Sequence, residues 1–213
     1  MIRIENITKT YIKGDTYIKA LNNFSLSADK GDFIVVKGPS GCGKTTLLLI
    51  TGGLLHPQEG KVFIGDQDLY KLSNQKMSDF RSANIGFVFQ QYHLIPYLTI
   101  LENITISSLA HKTEIPTECA IELIEDLGLK KRMHHTPGEL SAGEKQRVSL
   151  ARALLYSPKV ILADEITGNL DDKNSSIVLG KLAEFSKSGG TVLLVTHDAK
   201  ALVYADRIVE MEN

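Results

Sequence analysis

The stretch "DFIVVKGPSGCGKTTLLLI", residues 32–50, leaves this chain little freedom in how it folds. Its opening "DFIVVKG" is a continuous β-branched run, the pattern of a strand buried on both faces. "KTTLLLITGGLL" follows as a helix. Between them "GPSGCGKTT" (38–46) matches G-x-x-x-x-G-K-[ST]. Glycines at that spacing let backbone N–H groups turn inward around phosphate oxygens at the positive end of the helix. Lys44 is expected to reach the β- and γ-phosphates of a nucleoside triphosphate, and Thr45 to set its hydroxyl on Mg²⁺. Gly38, Ser40, Gly41, Cys42, Gly43 and Thr46 complete the candidate nucleotide-binding loop. Cys42 reads either as a reactive thiol near a helix N-terminus or as a small loop side chain.

The surrounding pattern is that of an α/β fold. "IRIENITKTY" (2–11) and "YIKALNNFSLSA" (17–28) alternate as antiparallel strands joined by a turn around Gly14-Asp15. "GKVFIGDQDL" returns to strand and turn, and "IGFVF", "KVILADE" and "TVLLVTH" are further buried-strand runs before a closing "RIVEM". From about residue 98 to 156, apolar residues recur at helical spacing instead. Strands resume afterwards, so this reads as a helical insertion into the sheet.

Composition narrows the class. With 213 residues, 43% of them hydrophobic, the chain fits one globular domain with a sizeable core. A net charge of −1 gives no global basic field, so no nucleic-acid partner is expected. The longest apolar run, residues 47–55, is broken by Thr51, Gly52 and Gly53 and is short of the roughly 20 residues of a spanning helix. "MIRIENITKTY" lacks the basic-then-apolar pattern of a secretory signal. Cys42 and Cys119 sit in unrelated contexts, so two free thiols in a reducing, cytoplasmic compartment are expected.

A second acidic feature converges on the same chemistry. "VILADE" ends a buried strand with Asp164 and Glu165. A carboxylate there can hold Mg²⁺ opposite the phosphate loop, and its neighbour can orient or deprotonate an attacking water. Together with the loop, this reads as a nucleoside triphosphate hydrolase core. "LSAGEKQRVSLARALL", about a hundred residues after the phosphate loop, contains a second Ser-Gly turn opening a helix. Ser141-x-x-Glu144 is also a capping box, and a capped helix start still offers N–H groups to a phosphate.

With "LSAGEKQR" added to the phosphate loop and "ILADE", the chain resembles the ATPase subunit of an ATP-binding cassette (ABC) transporter. "GFVFQQ" with Gln90, "GNLD" with Asp171 and "VTHD" with His197 follow in the family's order, and the likeness covers essentially the whole chain. The resemblance implies an ABC-type ATPase core with an N-terminal antiparallel β subdomain (residues 1–89 and 157–213) and a helical signature subdomain (90–156). It implies that Tyr11 lies against adenine, where an aromatic could equally be edge packing. Gln90 would touch Mg²⁺ or the attacking water, and His197 the γ-phosphate. Ser141 and Gly143 would bind ATP held by a second copy of the chain, with Asp171 coupling the two sites; Asp171 also fits a helix N-cap.

Two residues depart from the family pattern. Ala142 replaces a glycine, which fits if its φ is helical and strains the turn if φ is positive. Ile166 stands where proline is usual, which should loosen the segment between Glu165 and Asp171. "YIKGDTYIKALNNFSL", "GFVFQQYHLIPYLTILENI" and "ADEITGNLD" are similar to the lipoprotein-releasing and macrolide-export branch, which also includes cell-division and peptide-antibiotic resistance ATPases. An integral membrane permease partner, a homodimer with ATP bound and a peripheral position at the inner membrane face are thereby implied. The alternative within the branch is a regulatory ATPase that moves no substrate. Tyr92, Leu94, Ile95, Pro96, Tyr97 and Leu98 would suit a groove for a partner helix or the insertion's own core. Lys44→Ala is expected to abolish nucleotide turnover, measured as phosphate release; undiminished hydrolysis would contradict the phosphate-loop assignment.

Overall fold

The buried β-branched runs of the sequence pair with one another in a single sheet. In the computed structural model, which describes residues 1–14, 16–111 and 117–212, β3 (Phe33–Lys37), β6 (Ile85–Phe89), β7 (Val160–Asp164), β8 (Thr191–Val195) and β9 (Arg207–Glu210) form a parallel sheet. Its order is β6-β7-β8-β3-β9. Every residue of β7 and β8 is buried, as a strand covered on both faces requires. The exposed β9 closes one edge.

The second sheet is antiparallel, in the order β2-β1-β4-β5. It comprises β1 (Ile2–Lys13), β2 (Thr16–Ala28), β4 (Glu59–Ile64) and the short β5 (Gln67–Asp68). The β1–β2 register shifts between Ile4 and Ile7, beside Asn6, and again between Ile7 and Lys9, beside Asn23, and both asparagines take a left-handed φ of 52°. The expected turn at Gly14-Asp15 reaches Asp15, which lies outside the described residues.

The period of two along each parallel strand divides the core. Phe33 and Val35 point into one apolar cluster and Ile34 and Val36 into the other. The first cluster joins the sheet to α3 (Ile100–Thr105), α4 (Thr117–Asp126), α5 (Ala142–Leu154) and α6 (Asp172–Lys187). The second joins it to α1 (Lys44–Thr51) and the antiparallel sheet. Among the described residues, nothing between α3 and the end of α5 contributes a strand, as the helical spacing of that stretch predicts. Nor is any helix among them long and apolar enough to cross a membrane.

Two elements differ from the expectation. α1 ends at Thr51, and the Gly52-Gly53 pair follows it as a turn, so "GGLL" is not helical. α2 (Asn74–Asn84) has no counterpart in the sequence reading, because it buries only Met77 and so has no apolar stripe to detect. Its start is fixed locally, by the Ser73 hydroxyl accepting from the Lys76 N–H. Phe33 is fully buried at the foot of β3, so Phe33→Ala should destabilise the fold by about 3–5 kcal/mol in urea unfolding.

Candidate nucleotide site

Strand register brings the motifs together. Phe89, Asp164, Val195 and Val36 form one row across β6, β7, β8 and β3. The residues that leave this edge are Gln90 after β6, Glu165 after β7, Thr196-His197 after β8 and the phosphate loop after β3. All strands run the same way, so these four segments emerge at one end of the sheet.

There they enclose a cavity of about 490 Å³ lined by Ser40, Gly41, Gly43, Lys44, Thr45 and Thr46 on one side. Gln90, Glu165 and His197 line the other, and Tyr11 stands at the rim with Ile18 and Ala20. Ile18 and Ala20 carry no motif, and only the pairing of β2 with β1 reveals them. Gly43 could be nothing else: its φ is +99°, and a Cβ there would lie 2.1 Å from the Ala20 carbonyl oxygen. Gly38 and Cys42 do not line the cavity. Cys42 is buried in the apolar cluster beneath the loop, with its Sγ 4.0 Å from Lys44 Nζ, which favours the reading as a small loop side chain.

The first turn of α1 has no capping side chain and no acidic residue, so its N–H groups are left for a ligand. Lys44 is buried and donates to the carbonyls of Gly38 and Pro39 at 2.7 and 2.9 Å. Its Nζ also lies 3.8 Å from Glu165 Oε1. Phosphate oxygens would offer this ammonium stronger, charge-assisted partners than two carbonyls. The Tyr11 hydroxyl lies 3.2 Å from Thr46 Oγ1.

Glu165 is held from three directions. Its N–H donates to the Val195 carbonyl at 2.9 Å, although its φ is +49°, a strained value for a non-glycine residue. Its Oε2 accepts from the Thr196 hydroxyl at 3.1 Å and the His197 N–H at 3.3 Å, and lies 2.9 Å from His197 Nδ1. The carboxylate is thus aimed into the cavity rather than free to rotate. Asp164 is buried beside it, and its Oδ1 has no hydrogen-bond partner among the described residues. Burial pushes its carboxyl above the usual aspartate range; the Glu165 charge adds to this, while Thr45 and Lys44 oppose it.

Ser141, Gly143 and Asp171 lie elsewhere: none lines this cavity. Ser141 caps α5 in a full capping box, its oxygen accepting from the Glu144 N–H at 3.3 Å and its own N–H donating to Glu144 Oε2 at 2.8 Å. Those bonds hold the Glu144 carboxyl below its usual range. Ser141 remains exposed. Ala142 is the first helical residue and has no positive φ, so alanine fits without strain. Gly143 has a different reason to be glycine: a Cβ would lie 2.2 Å from Asn174 Cγ. Asn174 in turn donates to both Asp171 carboxylate oxygens, at 2.9 and 2.8 Å, and accepts from Arg147. Asp171 also caps α6 through the Asn174 N–H. One asparagine, absent from the motif reading, therefore ties "SAGE" to "GNLD". Ile166 is buried in the core, so it anchors its segment instead of loosening it.

This fold and cavity define a phosphate-loop nucleotide hydrolase built on a parallel sheet. The model of the family described as ABC transporter matches residues 21–168, and the chain belongs to that family. It is 40% identical to the "Lipoprotein-releasing system ATP-binding protein LolD" of Syntrophotalea carbinolica, over 99% of this chain and 94% of that protein. It is 37% identical to the "Macrolide export ATP-binding/permease protein MacB" of Vibrio parahaemolyticus, covering all of this chain and 33% of that one. The dimeric post-hydrolysis structure of the ATP-binding cassette MJ0796, bound to ADP and Pi, superposes with a TM-score of 0.93 at 37% identity, over 100% of this chain and 94% of that chain. The chain is an ATPase of the ABC family.

The buried, unpaired Asp164 oxygen makes a thermodynamic prediction. Because the neutral carboxyl is favoured in the fold, Asp164 costs stability that begins to accrue as pH rises past the ordinary aspartate value of the unfolded chain and is fully present above its raised folded pKa. Asp164→Asn should therefore raise the Tm of the nucleotide-free chain by about 2–4 °C near neutral pH. The gain should shrink as pH falls through the folded pKa and vanish below the ordinary aspartate value of the unfolded chain, as thermal melts across pH will show.

Proposed function

We propose that this chain is the ATP-hydrolysing cassette of an exporter, working as a homodimer on a membrane permease. The observation that carries the reading is the division of the site. The phosphate-binding half lines the cavity, whereas Ser141, Gly143 and Asp171 lie outside it, and Ser141 and Ala142 at the start of α5 are exposed and available to a second copy. Two copies would sandwich two ATP molecules, each between one chain's phosphate loop and the other's "LSAGE". The whole chain acts as one cassette, with residues 90–156 as its helical signature part.

Within each half-site the roles follow from position. Tyr11 stacks on adenine once its hydroxyl leaves Thr46. Gly38 and Cys42 shape the loop from beneath, and the N–H groups from Gly41 to Thr46 cradle the phosphates. Lys44 exchanges its carbonyl partners for β- and γ-phosphate oxygens. Glu165, held by Thr196 and His197, orients a water and takes its proton. His197 and Gln90 close the cavity around the γ-phosphate. The unpaired Asp164 oxygen and the Thr45 hydroxyl fit Mg²⁺, with Gln90 facing the same space; the ion would neutralise charge on the β/γ oxygens. Asp171, tied to the α5 start through Asn174, reports one half-site to the other.

The partner would dock in a second cavity, of about 380 Å³, floored by Phe87, Phe89 and Tyr156 and walled by His93, His111 and Arg152. Its apolar floor and location beside the Gln90 loop suit a helix of an integral membrane subunit. Leu94 packs inward while Tyr97 is exposed, so the "YHLIPYL" segment serves core and surface together. Names among the relatives, a lipoprotein-releasing protein and a macrolide exporter that joins ATP-binding and permease parts, support export of lipoprotein, peptide or drug-like cargo from the inner membrane face. Glu165→Gln should bind ATP but turn it over about 100-fold more slowly, so that dimer accumulates with ATP in size-exclusion runs. Monomer alone under those conditions would refute the shared-site reading.

A further inference from the structure

The segment after Gln90 is held in an unusual conformation by side chains from two helices, Arg152 of α5 and Asn103 of α3. Tyr92 and His93 have φ of 24° and 47°, both in the left-handed region that two consecutive non-glycine residues rarely enter. Such a conformation persists only where its surroundings impose it. Within the turn the His93 N–H donates to the Gln91 carbonyl and the His93 ring meets Phe89 edge-on; from outside it, Arg152 on α5 holds both left-handed residues, its Nη1 donating to the His93 carbonyl and Nη2 to the Tyr92 carbonyl, both at 2.7 Å. A planar guanidinium presents two parallel N–H groups at fixed spacing, which matches two successive carbonyls turned the same way. On the near side of Gln90, buried Gln146 of the same helix donates to the Phe89 carbonyl at 3.4 Å. α5 therefore grips the chain immediately before and after Gln90, while Gln90 itself faces the nucleotide cavity.

We propose that Arg152 is a positioning residue: by holding the Tyr92 and His93 carbonyls it fixes where Gln90 stands in the nucleotide cavity. This rests on the reading of Gln90 as part of the hydrolytic site. Arg152 touches neither the phosphate loop nor Tyr11, so its effect falls on turnover and not on nucleotide affinity. The same guanidinium lines the groove with Phe87, Phe89 and Tyr156. From α5 it thus reaches both the groove wall and the Gln90 loop. Lysine cannot substitute, because a point ammonium lacks the two-pronged geometry even though it keeps the charge.

Three variants of the full chain test this: Arg152→Lys, Arg152→Gln and, as a reference, Gln90→Ala. Steady-state ATPase kinetics are paired with amide hydrogen exchange read by mass spectrometry. For Arg152→Lys, kcat should fall about tenfold while KM for ATP stays within about twofold, since a misplaced group costs turnover far more than binding. Exchange should rise about tenfold at residues 90–95 and stay unchanged in β6 and α5, which a general loss of stability would not produce. Arg152→Gln supplies the same two readouts should the lysine variant fail to fold. If Gln90→Ala lowers kcat but the Arg152 variants alter neither kcat nor exchange at 90–95, the positioning role is wrong and the Gln90 reading stands. If exchange rises without a change in kcat, Arg152 is structural only. If Gln90→Ala leaves kcat intact, the reading of Gln90 falls, and the proposal with it.

Discussion

Everything at the nucleotide site depends on strands that all run the same way. Parallel pairing places Val36, Val195, Asp164 and Phe89 in one row, so whatever follows them in sequence leaves the sheet at the same edge. Residues some 160 positions apart, Gly38 and His197 among them, therefore need no direct attraction to meet. Burial of β7 and β8 on both faces is what makes the pairing cooperative, since a one-residue slip would drive every inward side chain to the wrong layer. An antiparallel arrangement of the same runs would scatter these motifs to opposite ends.

Against that rigid edge, the second set of candidate residues is organised by one helix. α5 begins at Ser141, packs Gly143 against Asn174, reaches Asp171 through Arg147 and Asn174, and holds the Gln90 loop through Gln146 and Arg152. The helix is capped at both the hydroxyl and the carboxylate of its capping box, so it is a stiff lever rather than a frayed end. A shift of α5 would be felt at Ser141, Gly143, Asp171 and the Gln90 loop. Such a link offers a physical route between the groove proposed for a partner and the cavity proposed for a nucleotide.

Local costs fall at the site as well as elsewhere. Glu165, Tyr92 and His93 have left-handed φ, and Asp164 has a buried oxygen without a hydrogen-bond partner among the described residues. Left-handed φ recurs at Asn6 and Asn23 beside the β1–β2 register shifts and at Ser157 after α5. At Glu165 and Asp164, however, the strain and the unmet oxygen lie at the nucleotide cavity, where a bound ligand would relieve what the fold tolerates.

The sequence by itself determined the elements whose signal is local. The phosphate loop, the buried runs of β3, β7 and β8, the capping box at Ser141 and the helical stretch up to Leu154 were all legible, because spacing and residue type suffice to specify them. α2 was not legible, since a helix with one buried residue leaves no periodic trace. Nor was the helical φ of Ala142, which residue type leaves open. Ile18, Ala20, Asn174, Gln146 and Arg152 belong to no motif, and their importance arises only from what packs against them. That Ile166 anchors its turn rather than loosening it is likewise a fact of burial. Tertiary structure alone decided these, because contact between residues far apart in sequence is fixed by the pairing of strands and the docking of helices, not by the pattern of any one segment.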